Sequence, residues 1–231
     1  MRKILLSLLG VQIAATGMII AASLASHAKD PKLKGYNTMD SMGCMLLREC
    51  SDGVVEVKNH EDVARHFKKF KMTPPMSDEF DELVEASNKV GSKVFIAPDK
   101  YFPPGHRGVY HTVSNNFYLN ERHVVKYSVL MTVMRHEGWH AAQDCMAGSI
   151  KNNMIAIIMP EKDVPQVWRD IVEKTYPKSA VPWEAEAKWA GMTEGMTMKA
   201  LKACAEGKMW EVYKPTPLTL EWLKEEGFIK E

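Results

Sequence analysis

A mainly helical α+β fold, with a small β-hairpin leading into one long helix, is what this 231-residue sequence predicts. Three observations carry the prediction. Residues 124–145 contain no proline and place Val125, Val129, Val133 and Met134 at mostly three- and four-residue spacing, the period of a helix. Residues 108–119 just before are rich in β-branched and aromatic side chains, with Ser114-Asn115-Asn116 as a turn between two short strands, 109–113 and 117–119. Beyond Gly148 the apolar patterns are mostly helical.

In chain order, Met1-Arg2-Lys3 gives a basic start and residues 4–24 an apolar stretch, followed by a small-x-small site at Ser26-His27-Ala28. Residues 1–28 therefore read as a signal peptide, or as an N-terminal anchor, since residues 4–24 nearly suffice to span a bilayer. The remainder, 29–231, is expected to be exported (periplasmic or secreted) and to form a single domain. Met39, Met42 and Met45 have the three-residue spacing of a core-facing helix. A strand is expected at 54–57, a helix at 61–70 ended by Thr73-Pro74-Pro75, and a helix opening at Ser77-Asp78-Glu79 and running to Val90. A short buried strand at 93–96 is closed by Pro98-Asp99. The hairpin and the long helix follow, with Asn120 as the helix N-cap and Gly148 as its stop. Helices are then expected at 163–173, from Pro182 through Met198, and at 218–223.

The charge balance is nearly neutral, +1 for the whole chain and −1 once the two cations of residues 1–28 are set aside. That gives no argument for nucleic acid, or for a membrane surface beyond the possible anchor. Four cysteines in an exported chain suggest two disulfides. Three pairings are open, and the simplest is Cys44–Cys50 with Cys145–Cys204. No CxxC pair is present to hold a metal by thiolates.

The chemistry is concentrated in His136-Glu137-Gly138-Trp139-His140. Four residues apart on a helix, two imidazoles share one face and can point at one metal ion, with Glu137 beside them as a general base. That is the recipe for a zinc hydrolase with one Zn²⁺ per chain, and it needs a third protein ligand. Residues 182–190 offer Glu184 and Glu186, which lie about 200° apart on a helix, so only one can face the metal.

With an HExxH helix followed by Glu184-Ala185-Glu186-Ala187, residues 108–200 resemble the gluzincin group of zinc metallopeptidases. The HxxGxxH continuation of the metzincins is missing. The resemblance implies a zincin-like fold in which an edge strand lies above the metal. It implies Glu186 as third ligand, with Glu184 as the alternative, and hydrolysis of a peptide or protein substrate by a metal-activated water with Glu137 as base. An oxyanion donor is also needed; Tyr176, Tyr110 and His111 are candidates by residue type alone. Two other classes stay open: a non-catalytic exported zinc-binding module, and a disulfide-stabilised interaction protein.

Overall fold

The structure is a computed structural model that describes residues 39–68, 71–148 and 153–229; the leader, residues 1–28, lies outside them. The described chain separates into two compact units, and the fold is α+β with helices predominating. The smaller unit contains helix α1, Met39–Leu46, and residues 100–104. Met42 and Met45 are buried, as their spacing predicts, and a Cys44–Cys50 disulfide closes the turn after α1.

The larger unit holds every other element. Its sheet contains β1 (Val55–Val57), β2 (Lys93–Ala97), β3 (Gly108–His111) and β4 (Asn116–Asn120), in the order β1-β2-β4-β3. β1 and β2 are antiparallel, β2 and β4 parallel, and β3 and β4 form the expected antiparallel hairpin. β3 is thus an edge strand. Asn120 N–H donates to Arg107 C=O at 2.9 Å, a register that turns the backbone groups of Gly108 and Tyr110 away from β4.

The helices of this unit are α2 (His60–His66), α3 (Pro74–Lys89), α4 (Tyr127–Met146), α5 (Gln166–Val172), α6 (Val181–Met192), α7 (Met196–Ala205), α8 (Met209–Val212) and α9 (Pro217–Glu225). One core lies between the sheet and α3, α4 and α7, and includes Phe80, Leu83, Ile96, Phe117, Leu119, Leu130, Met134 and Leu201. A second surrounds the end of α4, where Trp139, Met146, Ile158, Ala187 and Ala200 meet. α4 therefore has apolar neighbours on most sides. Its polar residues must find partners or meet a desolvation cost of several kcal/mol.

Several boundaries differ from the sequence expectation, each for a local reason. Asn120 does not cap the long helix. It ends β4, and its side chain donates to Asp99 Oδ1 (2.8 Å) and His106 C=O (2.9 Å), so α4 begins only at Tyr127. The helix expected from 182 through 198 is two helices, because Gly195 adopts φ 77°, the left-handed region, and separates α6 from α7. α3 opens at Pro74 behind Thr73 and not at Ser77, since proline suits a first helical turn. α2 stops at His66, short of the expected 70. Pro165 precedes α5, and a single 3-10 turn, Glu161–Asp163, stands where a longer helix was expected to begin.

Three clamps hold α4 in place. Glu79 of α3 accepts from Arg135 Nε (2.8 Å) and from the Tyr127 hydroxyl (3.0 Å). Thr197 of α7 donates to Arg135 C=O at 2.7 Å, and a Cβ on Gly138 would come within 2.8 Å of the Thr197 methyl. The Cys145–Cys204 disulfide ties the end of α4 to α7 across 59 residues. Closing a loop of that length restricts the unfolded chain by about 4 kcal/mol. We predict that replacing both cysteines with serine lowers unfolding free energy by about 2–4 kcal/mol, measured as a lower denaturant midpoint.

Candidate metal centre

His136 and His140 stand on consecutive turns of α4 with their Nε2 atoms 3.2 Å apart and their rings edge to face. The carboxylate that meets them is Glu184, from the first turn of α6. Its Oε2 lies 3.4 Å from His136 Nε2 and its Oε1 3.7 Å from His140 Nε2. Together His136, His140 and Glu184 form a group that could hold a metal ion. His136 Nε2 lies 3.2 Å from His140 Nε2 and 3.4 Å from Glu184 Oε2, separations compatible with donors that share one ion through bonds of about 2.0–2.1 Å. Glu184 Oε2 is sealed from solvent and has no well-directed hydrogen bond. A buried carboxylate oxygen left in that condition is costly, and a cation beside it would remove the cost.

The close approach of α6 to α4 depends on a missing side chain. A Cβ on Gly191 would lie 2.9 Å from Thr132 C=O and 3.3 Å from His136 Cβ, so only glycine lets the two helices meet here. Gly191 and Glu184 lie about two turns apart on nearly the same face of α6.

Glu186, expected as the third ligand, does not reach the histidines. The 200° between it and Glu184 turns it into the second core, where it is 1% exposed. There its carboxylate accepts from Trp139 Nε1 (3.2 Å), Gln143 Nε2 (2.9 Å), Ile158 N–H (3.0 Å) and Met159 N–H (2.6 Å). Gln143 in turn accepts at Oε1 from His140 Nδ1, 2.8 Å away. With the Glu186 carboxylate occupying its amide N–H, Gln143 presents its oxygen to His140. Nδ1 of His140 carries the proton, and the Nε2 lone pair faces His136 and Glu184. A residue expected to bind the metal instead fixes the tautomer of one that can. The sequence signal for this was Gln143, three residues after His140.

The electrostatics follow from burial. Burial, aided by the neighbouring His136, lowers the His140 pKa to about 4. Burial also opposes a charge on His136, but Glu184 and Glu137 outweigh it and raise the His136 pKa above the ordinary value. For Glu184 burial favours the neutral acid, yet contact with the imidazoles keeps its pKa low. Glu137, buried beside them, is pushed up to about 7, chiefly by burial and partly by Glu184. The Tyr110 backbone N–H donates to the Glu137 carboxylate. β3 passes so close that a Cβ on Gly108 would strike Glu137 Oε1 at 2.7 Å.

The three candidate oxyanion donors part company here. The Tyr176 hydroxyl bonds to Glu184, and burial with the Glu184 and Glu137 charges raises its pKa. The Tyr110 hydroxyl donates to Asp144 Oδ2 at 2.9 Å, a partner outside the cluster. His111 Nδ1 pairs with Ser114 Oγ at 2.8 Å in the hairpin turn. Only Tyr176 has its side chain at the site.

No protein family, curated protein or solved structure matches the chain.

Three substitutions separate the glutamates and test the Gln143 link. Glu184→Ala should abolish metal binding while leaving the metal-free fold intact. Glu186→Ala should destabilise the protein by on the order of 3 kcal/mol, because four buried donors lose their acceptor. Gln143→Leu should weaken metal binding about 10–100-fold, read by competition with a chelating dye. A fourth prediction concerns pH. Burial lifts Asp144 to about 7, so between about pH 4 and 7 the unfolded chain is ionised where the folded chain is not. Stability of the metal-free protein should fall as pH rises through that window, and Asp144→Asn should flatten the fall, measured by denaturant unfolding at each pH.

Proposed function

We propose that the chain is an exported, zinc-dependent metallopeptidase of zincin-like fold. The observation that carries the reading is the convergence of His136, His140 and Glu184 on one point where they could hold a metal ion, with Glu137 buried alongside. Imidazole nitrogens and one carboxylate are a donor set that suits zinc, and three protein ligands leave a position open for chemistry. A zinc ion bound there would lower the pKa of water and polarise a substrate carbonyl.

The chain's own residues supply the rest. Glu137 adjoins the cluster, and its carboxylate is suited to taking a proton from water and passing it to the leaving amine. Tyr176, the one candidate of the three whose hydroxyl is at the cluster, would turn its proton from Glu184 to an oxyanion. The Gly108 backbone groups and the Tyr110 C=O, which turn away from β4, support an extended peptide adding itself as a further strand beside Glu137. The Cys44–Cys50 and Cys145–Cys204 disulfides support an oxidising compartment. No helix among the described residues is long and apolar enough to cross a membrane.

The test is zinc content together with hydrolysis of a mixed peptide library by residues 29–231. The expected result is one zinc per chain and cleavage, with Glu137→Gln keeping the zinc and losing about 10²–10⁴ in rate. Zinc without cleavage, and indifference to Glu137→Gln, would instead support a non-catalytic zinc-binding module. A folded chain that takes up no zinc would leave the disulfide-stabilised interaction protein.

A further inference from the structure

Glu137 and Asp144 lie two turns apart on α4, within about 20° of each other around the axis and about 10 Å apart along it. Val133, one turn before Glu137, extends the same strip of the helix. β3 is laid along this strip and touches it at two places. At one, a Cβ on Gly108 would meet Val133 Cγ1 at 2.6 Å and Glu137 Oε1 at 2.7 Å, so the strand backbone rests directly on the Glu137 carboxylate. At the other, Tyr110, on the same face of the strand as Gly108, donates its hydroxyl to Asp144 Oδ2 at 2.9 Å. Asn115 Oδ1 is a more distant acceptor, at 3.3 Å. The Asp144 carboxylate is buried, and its other oxygen has no partner among the described residues.

The second contact has a use because β3 is a short edge strand, paired in the sheet with β4 alone. A peptide that adds to its free side is placed relative to Glu137 by β3, and a misplacement of about 1 Å between reacting groups is costly to the rate. We propose that Tyr110 is a positioning residue for peptide hydrolysis: through its bond to Asp144 it locks β3 along α4, and so fixes the strand that receives the substrate against Glu137. The inference rests on the metallopeptidase reading. The Tyr110 side chain takes no part in the chemistry, since its ring packs edge-on against Phe117 and its hydroxyl is engaged by Asp144.

Two measurements test it, the first without turnover. Tyr110→Phe combined with Asp144→Leu removes the link without leaving a buried acceptor unpaired. In the metal-free protein this double variant is expected to exchange its β3 amides about tenfold faster than the wild type, with α4 as protected as before. Unchanged exchange over β3 would overturn the anchor, whatever the protein does to peptides. The second measurement is cleavage of a library peptide that the zinc-loaded wild type hydrolyses. Tyr110→Phe, Asp144→Leu and the double variant should each lower kcat about tenfold at full zinc content. The two single losses should not multiply, since either substitution breaks the same bond. Asp144→Asn keeps an acceptor oxygen for the hydroxyl and should retain most of the rate. An unaltered kcat in the double variant, losses that multiply, or a loss in Asp144→Asn as large as in Asp144→Leu would overturn the positioning role and leave the peptidase standing. A zinc-loaded wild type that cleaves no peptide would overturn the peptidase reading and this role with it.

Discussion

Two imidazole nitrogens 3.2 Å apart on one buried helix face are the constraint on which the rest of the site depends. Both rings cannot carry a proton at that distance, and burial penalises even one charge. The surroundings answer with a carboxylate, Glu184, and with a fixed tautomer on His140. Each answer places a demand on another element. Glu184 can reach the rings only because Gly191 lets α6 press against α4, and His140 keeps its tautomer only because Glu186 holds Gln143. Most of α6 is thus organised by two atoms of α4.

The two glutamates of α6 show how two positions along a helix divide structure from chemistry. Glu186 is saturated with hydrogen bonds from Trp139, Gln143 and the 158–159 backbone, and such a carboxylate has little capacity left for a metal. Glu184 has the opposite character, with one buried oxygen lacking a directed partner. Burial alone does not identify a ligand; the state of the lone pairs does. Location, not free protons, sorts the tyrosines: each hydroxyl has a carboxylate partner, Asp144 for Tyr110 and Glu184 for Tyr176, and only Glu184 belongs to the cluster.

Much of this was legible in the residues. The apolar period of 124–145 located α4, the β-branched and aromatic run at 108–119 located the hairpin, and HExxH spacing placed two imidazoles together. The simplest cysteine pairing is the one the structure contains. What sequence did not show was the rotation of α6. Spacing stated that only one of Glu184 and Glu186 could face the histidines, but which one depends on how α6 packs, and that is set by Gly191, Ala187 and the 158–159 backbone from outside the motif. The parallel pairing of β2 with β4 was likewise hidden, because it joins segments 23 residues apart. The break at Gly195 was missed because an isolated glycine in a helical pattern does not reveal its φ.

The most direct test of the account is an anomalous scattering map from a crystal of the zinc-loaded protein. The account predicts one zinc peak per chain, within about 2.0–2.2 Å of His136 Nε2, His140 Nε2 and a Glu184 oxygen, with Glu186 still bonded to Gln143. A peak bound by Glu186, or zinc at another place on the chain, would contradict it.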